Sequence, residues 1–114
     1  MDQKIRNTEP KALWNHFADL NAIPRPSKKE ARIVAFVIAF AKKHRLEYTV
    51  DEVQNVILKK PATAGMETRK TLVLQAHLDM VHQKNEATVF DFDKQGIQMK
   101  TRITMKKLKN EKEE

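Results

Sequence analysis

The run Thr71-Leu-Val-Leu-Gln-Ala76, followed directly by His77-Leu-Asp79-Met80, constrains the fold more than any other stretch of this chain. A short, mainly apolar run of this length reads as a strand, buried on both faces if it belongs to a parallel sheet. An extended chain repeats every two residues, so His77 and Asp79 emerge on the same side. If the strand belongs to an open α/β sheet, the pair stands at its carboxyl end, where such sheets place their ligands. A carboxylate beside an imidazole can fix its tautomer and raise its basicity, which prepares a histidine for a metal. By itself a His-x-Asp pair is more often a histidine that ends a strand, so the rest of the chain has to decide.

A chain of 114 residues makes at most one domain with a modest core. Apolar residues make up 40% and charged residues 32%, a globular but polar balance. With no cysteine there is neither a disulfide framework nor a thiolate zinc site. Met1-Asp-Gln-Lys-Ile-Arg6 has no apolar leader core, and no run approaches the roughly 18 residues that span a membrane. The expectation is a cytoplasmic protein without membrane association.

The formal charge of +7 raises the question of nucleic acid. The distribution argues against it as a partner. Basic pairs at Lys28-Lys29, Lys42-Lys43, Lys59-Lys60 and Lys106-Lys107 are scattered and carry no interleaved aromatics. No zinc-finger or RNP-type signature accompanies them. They read as a solvated basic surface.

The element order reads helix, helix, then strands. Thr8-Glu9-Pro10 fits a helix start, with proline in the first turn, where its missing N–H costs nothing. Leu13, Trp14, Phe17 and Leu20 follow at helical spacing, with His16 on a neighbouring face. Ile23-Pro-Arg-Pro26 breaks that helix. Ser27 and Glu30 have the spacing of a capping box for a second helix, apolar on most sides from Ile33 to Ala41 and fading at Lys42-Lys43-His44. Leu46, Tyr48 and Val50 alternate as a half-buried strand, Asp51 to Asn55 is a turn, and Val56-Ile-Leu58 is a second strand. Pro61 to Arg69 is a loop, Thr71 to Ala76 a strand, and Val89 to Phe92 another. Asp93 to Gly96 turns toward Ile97 and Met99. The last stretch, Thr101 to Glu114, holds five basic and three acidic residues and reads as a frayed tail or a marginal helix. The fold class is α/β, with two N-terminal helices on a small mixed sheet.

Several separated motifs resemble one family. They are Pro10-Lys-Ala-Leu-Trp-Asn-His-Phe17, Ile23-Pro-Arg-Pro-Ser27, Asp51-Glu-Val-x-Asn55, Lys60-Pro-Ala-Thr63 and Leu74-Gln-Ala-His-Leu-Asp-Met-Val-His-Gln-Lys-Asn85. Together they resemble the N-terminal part of the aminoacyl-histidine dipeptidases, also called Xaa-His or cytosolic non-specific dipeptidases, in the M20 clan of zinc peptidases. The resemblance runs over roughly residues 8 to 100. It implies a cytosolic metallohydrolase that cleaves dipeptides, including Xaa-His, on an α/β zinc-peptidase domain that usually carries an inserted dimerisation or lid domain. It divides the chain into 1–100, a partial catalytic domain, and 101–114, a charged tail unlike the family.

Carried over residue by residue, His77 matches the family's first zinc ligand and Asp79 the carboxylate that orients its ring. Family members hold two zinc ions per site. Their bridging aspartate in a Gly-Ala-Asp-Asn-Gly segment, their Glu-Glu pair with the general base, and their further Asp and His ligands have no counterpart in this sequence. A hydrolytic zinc site needs about three protein ligands, an open position for water and a positioned base. One histidine and its brace supply neither that coordination number nor the base. Another departure is Gln54, where the family commonly has glycine before Asn55. A turn that needs positive φ there must be met by the asparagine or carried under strain.

Other candidates have plainer explanations. His16, His44 and His82 read as structural or solvated histidines. Asp91 and Asp93 could hold a hard cation, but the polar face of an alternating strand accounts for them. Ser27 reads as a helix cap. Arg25, between two prolines, is either a rigid active-site loop or a helix breaker with a solvated side chain. The leading expectation is an N-terminal segment of a zinc dipeptidase, inactive alone, with a dipeptide as substrate only by resemblance. The alternatives are an enzyme completed by a separately encoded remainder or by an unusual site, and a non-enzymatic basic binding module on a peptidase-derived scaffold. Apolar surface left uncovered on the second helix predicts self-association or docking of the missing C-terminal part. Reading the gene beyond Lys100 in another frame tests whether the tail is a frameshift product.

Overall fold

The computed structural model describes residues 3–100. The expectation of a frayed tail or marginal helix at 101–114 lies outside the described residues. The described chain forms three helices and a two-stranded antiparallel sheet: α1 (Gln3–Arg6), α2 (Lys11–Ala22), α3 (Ala31–Lys43), β1 (Glu47–Val50) and β2 (Val56–Lys59). The described residues divide into two compact units, one holding α1, α2 and residues 96–100, the other running Pro24–Gln95.

In the first unit, α2 begins where Pro10 sets an extended backbone and offers its carbonyl to the Trp14 N–H. The short α1, which the sequence pattern does not reveal, is fastened to it by polar contacts. Arg6 reaches the Asn15 amide oxygen at 3.0 Å and the Asp19 carboxylate at 2.8 Å, while Asn15 donates back to the Arg6 carbonyl. Trp14 and Phe17 meet edge to face, with ring centroids 5.9 Å apart. Ala18 and Asn21 are buried, whereas Leu13 and Phe17, expected to face a core, stay exposed. At the end of α2 the Ile97 N–H donates to the Asn21 carbonyl at 2.7 Å, satisfying one of the acceptors that a helix end leaves open.

In the second unit, α3 packs on both strands of the hairpin, and Ile33, Val34 and Ala41 are its buried residues. The expected capping box is absent. Glu30 is the N-cap residue and makes no side-chain cap bond; its carboxylate accepts the Lys28 N–H instead. Ser27 is engaged elsewhere, as described below. The C-terminus of α3 closes in a Schellman motif: Leu46 N–H reaches the Ala41 carbonyl and Arg45 N–H the Lys42 carbonyl. Arg45 occupies the left-handed position there, with φ of 55°, a place usually taken by glycine.

The hairpin pairs Glu47 with Lys59, Tyr48 with Leu58, Thr49 with Ile57 and Val50 with Val56. A Glu47–Lys59 ion pair of 3.0 Å lies across its open end. Asp51 organises the turn: one carboxylate oxygen accepts the N–H groups of Val53 and Asn55, and the other accepts the Asn55 side-chain amide. The positive φ that the turn requires falls on Gln54 itself, at 70°.

Two expected strands do not form. Thr71 to Ala76 has no regular secondary structure and joins no ladder, and Leu72, Val73 and Leu74 are 80%, 81% and 87% exposed. A strand buried on two faces needs partner strands and covering layers, and the described residues supply neither to this run. Val89 to Phe92 is likewise outside any strand; Phe90 and Phe92 pack on each other with centroids 4.8 Å apart. Ile97 and Met99 also lie in irregular chain. The ladder in the sheet is antiparallel, and among the described residues parallel pairing is confined to an isolated bridge between Pro26 and Met80.

Candidate functional site

The Pro26–Met80 bridge positions the site. Ser27 N–H donates to the Met80 carbonyl at 3.1 Å and Met80 N–H to the Arg25 carbonyl at 2.9 Å, so two backbone bonds clamp the segment after α2 against the end of the apolar run. Pro24 and Pro26 restrict the backbone on either side of Arg25, which favours the extended form that the bridge uses. The Arg25 guanidinium adds a third tie by donating from Nη1 to the Leu78 carbonyl at 2.9 Å. Burial draws this guanidinium down from its ordinary value, while the nearby Asp79 charge acts in the opposite direction.

On this clamp Asp79 carries two partners. Its Oδ2 accepts the Ser27 hydroxyl at 2.5 Å, and its Oδ1 lies 3.0 Å from His77 Nδ1. These two hydrogen bonds, the Ser27 one the larger, hold the Asp79 carboxyl below the usual carboxylate range. An ionised carboxylate only accepts, so the imidazole must place its proton on Nδ1. That leaves the Nε2 lone pair for another group. The His77 side chain is 73% exposed, and Asp79 at 36% is the more enclosed member. The same-side placement of His77 and Asp79 read from the sequence is thus observed, although their segment joins no strand ladder.

The other sequence candidates do not converge on this pair. His82 packs edge-on to Phe92 with ring centroids 6.2 Å apart, and His44 tilts over Phe40 at 4.3 Å. His16 is on an exposed position of α2. Asp91 and Asp93 are in a turn and not on a strand face. Asp91 accepts the Asp93 N–H, and Lys29 Nζ lies 2.9 Å from both Asp93 oxygens, so lysines and backbone already occupy these carboxylates. Among the described residues no group of three or more His, Cys, Asp or Glu could hold a metal ion. The donor set is one imidazole and its brace, which does not fit a complete zinc centre.

Ser27 is the member of the site that the sequence reading assigns elsewhere. The available signal was electrostatic. A cap at Ser27 would put Lys28 and Lys29 in the first turn of a helix, where the macrodipole disfavours positive charge.

No family model matches the chain. The cytosol non-specific dipeptidase of Escherichia coli (strain K12) is 46% identical to it over 95 residues, covering 83% of this chain and 20% of that protein. The crystal structure of the aminoacylhistidine dipeptidase from Vibrio alginolyticus superposes with a TM-score of 0.78 at 44% identity, covering 82% of this chain and 19% of the other. The chain is therefore homologous to the N-terminal part of these dipeptidases and spans about a fifth of their length.

Proposed function

We propose, taking that homology as the premise, that this chain is a dipeptidase-type segment supplying the first metal ligand of a hydrolytic centre. In this reading His77 binds zinc through Nε2 and Asp79 holds its ring. The remaining ligands and the general base come from sequence corresponding to the other four fifths of the relatives. The chain alone does not hydrolyse dipeptides. The observation that carries the reading is the 3.0 Å contact of His77 Nδ1 with Asp79, which directs Nε2 away from the carboxylate. Residues 1–100 form the dipeptidase-like part, and the substrate class is the dipeptide, Xaa-His included.

Support for a larger assembly comes from the consecutive exposed Leu72, Val73 and Leu74, whose apolar side chains suit cover by further chain. The partner in this reading is the rest of a dipeptidase catalytic domain, with self-association in its absence. The compartment is the cytosol, the one named for the E. coli relative; among the described residues no helix is long and apolar enough to cross a membrane.

A chimera tests the proposal. Residues 8–100 replace the matching N-terminal segment of the E. coli dipeptidase, and dipeptide hydrolysis is assayed. The chimera is expected to be active and His77→Ala to abolish its activity, while the 114-residue chain has none. Activity retained by the His77→Ala chimera, or chelator-sensitive hydrolysis by the chain alone, overturns it.

A further inference from the structure

We propose that Ser27 is a positioning residue: through its bond to Asp79 Oδ2 it locks the carboxylate so that His77 is held as the Nδ1–H tautomer with Nε2 open. Its bearing on function rests on the reading of His77 as a ligand, but the geometry behind it does not. The Ser27 hydroxyl has one proton and two acceptors within reach, Asp79 Oδ2 at 2.5 Å and the Met80 carbonyl at 3.3 Å. The shorter, charge-assisted bond takes the proton. Asp79 then has a donor on each oxygen, Ser27 on one and His77 on the other. A carboxylate turns about a broad, two-fold torsion. A donor on one oxygen alone leaves it free to swing, and the opposing pair removes that freedom.

Ser27 can act as a fixed post because its own backbone is fixed. Its N–H makes one of the two backbone bonds of the Pro26–Met80 bridge, and Asp79 directly precedes Met80, whose N–H and carbonyl make both. Arg25 fastens the Leu78 carbonyl between His77 and Asp79. The serine therefore meets Asp79 from a second chain segment, 52 residues away in sequence, and no rotation of a flexible loop is needed to bring it there.

The test reads the tautomer directly, without metal or substrate. The whole chain is labelled with 15N-histidine, and the His77 ring nitrogens are observed by NMR at a pH where the imidazole is neutral. Wild type is expected to show predominantly Nδ1–H. Ser27→Ala is expected to move the population several-fold toward Nε2–H, with the Met80 amide resonance unshifted because the bridge remains. An unchanged tautomer ratio in Ser27→Ala overturns the proposal. Should Ser27→Ala also displace the Met80 amide, the matched shapes Ser27→Thr and Ser27→Val decide. Only threonine keeps a hydroxyl, so only it should keep the wild-type ratio, and equal ratios in the two variants overturn the proposal. A failure here leaves the ligand role of His77 standing, and an active His77→Ala chimera leaves the Ser27 bond standing, so the two readings fail separately.

Discussion

Gly96 lies so close to Asn21 that a Cβ built on it would fall 2.5 Å from the Asn21 carbonyl oxygen and 2.6 Å from that of Ala22. Both atoms are backbone in the last turn of α2 and cannot swing aside as a side chain can. Gly96→Ala should therefore push the returning chain off the helix end and break the 2.7 Å bond from Ile97 to Asn21. Overpacking of this kind costs about 1–3 kcal/mol. A urea titration should show the midpoint lowered, and loss of protection at the Ile97 amide should accompany it.

Gln54 carries φ of 70° without being glycine. Left-handed backbone costs an ordinary residue roughly 1–2 kcal/mol, part of which glycine would return as chain entropy. Gln54→Gly is expected to stabilise the chain by about 1 kcal/mol, raising the urea midpoint without changing the slope. Arg45, at φ of 55° in the Schellman motif, should respond in the same direction when replaced by glycine.

Asp51 is held below the ordinary carboxylate range by its hydrogen bonds, first that from the Asn55 side chain and then that from the Asn55 backbone. With the folded value depressed, the unfolded chain binds more protons in the window between the two values, so stability rises with pH there. The contribution is complete above the unfolded value of Asp51 and is lost as pH falls through its folded value. Asp51→Asn should flatten the acid limb of a stability-against-pH curve read at the Val53 and Asn55 amides, and an unchanged limb would contradict the assignment.

In the chimeric enzyme, Asp79→Asn should lower activity by about 10–100-fold, the usual range for loss of a partner behind a metal-binding histidine. The His77→Ala variant should fall further. Equal activity in Asp79→Asn and the unsubstituted chimera, measured as kcat/KM, would remove the brace from the scheme.

Much of the fold was legible because it is encoded locally. Helical spacing from Leu13 to Leu20 and from Ile33 to Ala41, with Pro24 and Pro26 between them, located α2 and α3 without reference to anything distant. Alternation at Tyr48 and Val50, with the Asp51 turn, located the hairpin in the same way. The positive φ at Gln54 was one of two alternatives that the resemblance left open, since the family commonly has glycine there and Asn55 could have carried the turn instead. Thr71 to Ala76 shows the limit. Its apolar pattern specifies a strand, but a ladder also needs partners that pattern cannot create. Ser27 shows another limit, since a hydroxyl committed to a carboxylate 52 residues away leaves no periodicity to detect.

The separation between Ser27 and Asp79 also sets what the contact costs to close. His77 and Asp79 are two residues apart and can meet on a bare extended chain, whereas the serine contact closes a loop containing α3 and the hairpin. Closing a loop of that size carries an entropic penalty that only the structure inside it offsets. The serine contact therefore costs less to close once α3 and the hairpin are in place, and during synthesis it must wait until Met80 has left the ribosome. A chain stalled before that point already has the proline-flanked serine but nothing for it to grip.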